Sequence, residues 1–425
     1  MRSRRALLTG SLAAVAAAGL LLAPTPRAGR SVARPIAPPR VSQPPASQPQ
    51  HAVGFTLGGP RAWTEAQVGA AVAAHVRARA LAATPLGGPR LVMTDTPAPG
   101  GYLTGARIEG GALVVRAGET TRLLGWEEVG LVTRRELTLR PDAAGRPVVV
   151  RDAALGPADL ADLAPPPARL RALADGPALG VGDASRGTLA ALAAAGARAV
   201  PRVSGFWGGD WSRRVVIVGA ATLGEFAAQI GDAPALAAGF AAVTTGQGPP
   251  GLPPGAFVGS RVYPNPGVWA RLDALGRRVV VTHETTHVAA QAAARPGPPT
   301  WLSEGVADEV GFAGTGVPER VLAQAGLAAA ARTGPPARLP SAAAFSGADP
   351  RVGAVAYADA DVAVRLLVRT YGTAGLRRFF RDVTAEVRSG TAPGVATARV
   401  MRRDLGTSLA AFTAAWRAEL RRLAH

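Results

Sequence analysis

The chain has 425 residues and a formal net charge of +18 carried by arginine alone, and 48% of its residues are hydrophobic. That length exceeds one ordinary domain and the apolar content can fill real cores, while the absence of cysteine excludes disulfides, thiol catalysis and Cys-based zinc sites. The arginine surplus is spread out, without aromatic interleaving or a basic helix, so it reads as a soluble basic surface for acidic partners or an anionic envelope, not as a nucleic-acid interface.

In chain order, "MRSRR" and the uncharged run Ala6–Ala23 have the layout of an export signal, so residues 1–23 read as a signal peptide or a membrane anchor. "SRRALL" also loosely resembles a twin-arginine signal. Either way the remainder is expected outside the cytoplasm, extracellular or at the cell surface, with residues 6–23 as the means of any membrane anchoring. Residues 24–51 are rich in proline and arginine and read as an extended, disordered linker.

Residues 52–165 are expected to form a small α+β domain. Thr64 is placed as the cap of a long helix. The runs "RLVMTD", "GALVVRAG", "EVGLVTRRELTLRP" and "RPVVVRD" follow it as strands separated by turn residues. This is a helix plus a curled antiparallel sheet, an element order similar to NTF2-like units. His75 lies in the helix and is given no role. "PADLADLAPPPARLRALADGP" reads as a connection. From 178 to 425 the pattern changes from short strands to an almost wholly helical block after Gly276, which indicates a second α+β domain.

The chemistry lies in "VTHETTHVAA". His283, Glu284 and His287 spell H-E-x-x-H, using two of the five histidines in the chain. In a strand, positions four apart are separated by about 13 Å and no metal can join them. On a helix they share one face at about 6 Å, close enough to hold one zinc ion. The β-branched "VVVT" before the motif weakens the helix expectation, and "HVAAQAAAR" restores it. Glu284 is turned about 100° from His283, the geometry of a general base that does not itself ligate.

A catalytic zinc usually has three protein ligands. The other histidines stand at 51, 75 and 425, and Ala293 occupies the place of a third histidine in one extended version of the motif. The third ligand is therefore expected to be a carboxylate. "RPGPPTWLSEGVADEVGF" turns the chain into a second, antiparallel helix and returns Glu304 to the level of the histidines. Asp308 lies one turn further on, suited to orient a histidine from behind. Gly305 is expected to let these two helices approach closely.

"HETTH", followed 17 residues later by the glutamate of "WLSEGVAD", resembles the gluzincin zinc metallopeptidases. Within that group the chain is most similar to the peptidase MA-like domains of exported actinobacterial proteins. The resemblance spans about residues 178–425 and takes in "RVYPNP", "LPSAAAFSG" and "AYADADVAVRLLVRTYG". It implies a thermolysin-like fold, mostly helical after the motif. It also implies zinc held by His283, His287 and Glu304, with Glu284 activating the water that attacks a peptide or protein substrate. Relatives often carry an apolar residue at the position of Thr285. The aminopeptidase branch needs a Gly-Ala-Met-Glu-Asn segment, which is absent here. Gluzincins commonly hold the oxyanion with a downstream tyrosine or histidine, and Tyr357 is the candidate. Tyr263 is a candidate for lining the substrate groove, and Trp301 for a hydrophobic wall. The rival expectation is a catalytically silent, zinc-containing binding or adhesion protein of the cell envelope.

Overall fold

The computed structural model describes residues 9–10, 63–82, 91–97, 100–162, 170–247, 259–290, 296–346 and 349–425. The signal and linker expectations over 1–51 lie outside these, apart from Thr9 and Gly10. Among the described residues no helix is long and apolar enough to cross a membrane.

The protein is mixed α+β, with one antiparallel and one mixed sheet. Thr9–Gly10 forms a two-residue strand (β1). Helix α1 (Glu65–Ala82) starts at Thr64, whose hydroxyl accepts from the Gln67 amide while the Gln67 side chain accepts from the Thr64 amide at 2.8 Å. This reciprocal capping meets two amides that the first helical turn leaves open. The strands are β2 (Leu91–Pro97), β3 (Arg107–Glu109), β4 (Ala112–Leu123), β5 (Leu131–Pro141) and β6 (Pro147–Ala154), all antiparallel, in the order β2-β4-β5-β6 with β3 also on β4. Leu137 and Leu139 alternate inward on β5, while Val148 and Val150 on β6 face solvent. His75, on α1, bonds Asp152 at 2.8 Å within an ion-pair cluster built on Arg79 and Arg135.

The second sheet comprises β7 (Arg171–Asp175), β8 (Ala178–Gly182), β9 (Val215–Gly219), β10 (Ala242–Gln247) and β11 (Gly259–Pro264), ordered β1-β10-β11-β9-β8-β7. The stretch read from the sequence as a connection thus supplies β7. Helix α2 (Arg186–Trp207) joins the parallel pair β8 and β9 and packs on them. It lies so close that a Cβ on Gly180 would come within 2.3 Å of the Leu189 carbonyl. Gly180 therefore trades strand propensity for close approach.

Further helices are α3 (Leu223–Ile230), α4 (Pro266–Arg271), α5 (Ala274–Ala290), α6 (Thr300–Phe312), α7 (Gln324–Thr333), α8 (Pro350–Arg388, kinked at Gly372), α9 (Pro393–Leu405) and α10 (Leu409–Ala424). The helical core centres on fully buried Trp416, whose indole donates to the Asp359 carbonyl at 3.1 Å.

The two sheets share one apolar core, in which Leu137 and Leu139 join Val181, Val218, Val243 and Tyr263. Arg261 crosses the seam with no exposure, bonding Glu127 at 2.6 and 2.9 Å and Asp159 at 3.3 Å. A buried cation is tolerated where partners of this kind offset its desolvation.

Gly305 does not face the histidine helix, as the sequence suggested. A Cβ there would sit 2.7 Å from the Ala360 carbonyl and 2.6 Å from Val364, both on α8. Gly305→Ala is expected to overpack this contact and cost about 1–3 kcal/mol. Urea unfolding measures it, and an unchanged midpoint would contradict the packing described.

Candidate metal centre

Asp273 starts α5 by accepting from the Gly276 amide at 2.7 Å. The helix continues through the β-branched run because it is buried against α2, β10, β11 and α6, and this packing outweighs local propensity. The hydroxyls of Thr282, Thr285 and Thr286 donate back to the carbonyls of Arg278, Val281 and Thr282 at 2.7–2.8 Å. Each threonine thereby presents a satisfied, effectively apolar surface to the packing around α5.

His283 and His287 project from one face, with ring centroids 4.8 Å apart and Nε2 atoms 3.0 Å apart. Glu304 Oε2 lies 3.4 Å from both Nε2 atoms. Behind the cluster, Asp308 Oδ1 is 2.8 Å from His283 Nδ1. A proton on that Nδ1 leaves the Nε2 lone pair pointing at the shared centre. Gly311, the next turn of α6, would bring a Cβ to 3.3 Å from the Val279 carbonyl. As α6 runs through Glu304, Asp308 and Gly311, its partners retreat along α5, so the two helices are antiparallel as expected. The small residue at their interface is Gly311.

Among the described residues, His283, His287 and Glu304 form a buried group that can hold a metal ion. The donor set fits one. Ligands about 2.0–2.1 Å from a tetrahedral ion stand roughly 3.3 Å from one another, and these atoms are 3.0–3.4 Å apart. Neither carboxylate oxygen of Glu304 has a hydrogen-bond partner, although both are buried. Burial alone would raise the Glu304 pKa, yet His287 and His283 hold it down to about 2. Burial likewise acts to lower His283, but Asp308, Glu304 and Glu284 outweigh it and keep the imidazole well above its usual value. The pocket is therefore built to surround positive charge.

Glu284 sits beside this group without joining it. Its Oε2 accepts from the Thr244 hydroxyl on β10 at 2.6 Å, and its Oε1 is buried without a partner. Burial raises its pKa, with the two histidines and Thr244 acting in the opposite sense. Thr244 was not singled out by the sequence, since nothing in "GFAAVTTG" distinguishes one strand threonine from its neighbour.

Tyr357 lies on α8 in the helical core, its ring edge-on to Phe345 at 4.9 Å. Tyr263, expected to line a groove, is instead buried in the core shared by the two sheets, beside Arg261, where desolvation pushes its phenol up. Trp301 is buried against Phe412, consistent with a wall of the helical core. A cleft of about 370 Å³, lined in part by Trp126, Trp211, Ser260 and Val288, opens one residue beyond His287. No family model matches this chain, and no curated protein or solved structure is significantly similar to it.

Removing Asp308 should free the His283 ring. Asp308→Ala is expected to weaken zinc binding about 10–100-fold, whereas His283→Ala should abolish it at the same concentrations. Competition with a chromophoric chelator measures both, and parent affinity in Asp308→Ala would contradict the orienting role.

Proposed function

We propose that this protein is an exported zinc metallopeptidase of gluzincin type, with residues 178–425 as its peptidase domain and residues 6–23 directing export. The observation that carries the proposal is the convergence of two imidazoles and one carboxylate on a single point, with a second carboxylate, Glu284, alongside it. A structural metal site has no need of that fourth group.

His283, His287 and Glu304 would hold the ion, and imidazole with carboxylate is a donor set that suits zinc. Bound zinc supplies a Lewis acid that acidifies water and polarises a carbonyl. Glu284 Oε1, the free oxygen, takes the proton of the attacking water and passes it to the leaving amine. Tyr357, on the helix packed against α6, is the proposed donor to the oxyanion. The Trp-lined cleft beside Val288 is the proposed approach for an extended peptide.

One observation favours the rival reading, a zinc-containing binding module without catalysis. His283, Glu284 and Glu304 are all 0% exposed, so substrate access requires a displacement that a purely structural site would not.

The full-length protein, loaded with zinc and incubated with a peptide library read by mass spectrometry, separates the two. Cleavage by the parent and a loss of at least about 1,000-fold in Glu284→Gln is the expected outcome, in keeping with removal of an activating base. Zinc bound by the parent with no cleavage would favour the binding module, and full activity in Glu284→Gln would overturn the mechanism.

A further inference from the structure

The fold treats the two carboxylate oxygens of Glu284 differently. Oε2 receives the Thr244 hydroxyl at 2.6 Å, a length typical of a charge-assisted bond, while Oε1 has no partner. The same hydroxyl oxygen lies 3.1 Å from the Glu284 main-chain carbonyl, so Thr244 is fitted to the whole residue and not only to its tip. Thr244 is itself fully buried.

The terminal torsion of a glutamate is broad and nearly two-fold, so an unanchored carboxylate can turn about its axis. A general base must present its lone pair within about 2.6–3.2 Å of the proton it takes. We propose that Thr244 is the positioning residue for the base: by fixing Oε2 it makes Oε1 the proton acceptor and holds it towards the His283–His287–Glu304 group. This rests on Glu284 being the general base.

The anchor is rigid because of where it stands. β10 pairs with β11 over the whole register from Ala242–Pro264 to Gln247–Gly259, and Thr244 itself is opposite Val262. β11 in turn pairs with β9, so the hydroxyl is fixed by the sheet and the glutamate by helix α5. The strand and the motif helix are 40 residues apart in sequence and meet at this contact.

Valine at 244 keeps the shape of threonine and removes the proton donor, and serine keeps the donor and removes the methyl. In the full-length protein, Thr244→Val is expected to lower kcat about 10–100-fold, the scale of a misplaced catalytic group, with KM and zinc content unchanged. Thr244→Ser should recover most of the loss, which a merely space-filling role would not allow. Thr244→Ala, which cannot overpack, replaces the valine variant if that protein fails to hold zinc.

A second readout needs no turnover. In zinc-free protein carrying carboxyl-labelled ¹³C-glutamate, the Glu284 resonance is assigned by its absence in Glu284→Gln. It should shift in Thr244→Val and stay near its parent position in Thr244→Ser. An unmoved resonance in Thr244→Val, or parent kcat in that variant while Glu284→Gln is inactive, would overturn the positioning role alone. A parent with no Glu284-dependent hydrolysis would overturn the general-base assignment and this role with it.

Discussion

Six consecutive polar residues, Thr282 to His287, cross the protein interior on one helix, and none is more than 1% exposed. A buried polar group without a partner costs about 1–3 kcal/mol, so the surroundings of α5 must answer each side chain in turn. The three threonines answer themselves by donating to their own helix. Glu284 requires a donor from β10, and His283 requires an acceptor from α6. After these are met, two imidazole nitrogens and the Glu304 carboxylate still point at one another. That arrangement can hold a metal ion, so the candidate metal centre and the packing around α5 are one problem.

The same constraint explains the supporting architecture. β10 must lie against α5 for Thr244 to reach the glutamate, and β11 must hold β10 in place. β11 also carries Arg261, which ties the second sheet to Glu127 in the β4–β5 connection and to Asp159 just after β6. The antiparallel sheet is therefore joined to the second sheet by a shared core and a buried ion pair on the strand next to the one that carries Thr244. Behind α6, Gly305 lets α8 approach to backbone contact, and Gly311 does the same for α5. Asp308 lies between these two close contacts on α6, and Glu304 directly precedes the first.

Much of the site was legible because its signals are local. The four-residue spacing of His283 and His287 means one thing on a helix, and the Pro/Gly turn after it sets the register that returns Glu304 and Asp308. The long strands of the first sheet showed through their alternation and turn residues. What escaped notice depends on tertiary contact. β8, "ALGVG", interrupts its apolar run with glycine at 180 because α2 lies on it, and so lacks the usual strand signature. Gly305 and Gly311 are equivalent in sequence terms, and only the packing tells which helix each one meets. Tyr263 looked accessible because it precedes the motif, whereas the side of β11 it occupies is covered by the first sheet. Thr244 carries no pattern at all, since a hydroxyl aimed across to another element leaves no periodicity.

The most direct test is the zinc K-edge X-ray absorption spectrum of the purified full-length protein after equilibration with one equivalent of zinc. The expected result is a tightly held ion with only nitrogen and oxygen neighbours at about 2.0–2.1 Å, four in number, and outer-shell scattering from two imidazole rings that falls to one ring in His287→Ala. A spectrum of hydrated zinc, or one unchanged by that substitution, would contradict the convergence of His283, His287 and Glu304 on a metal ion.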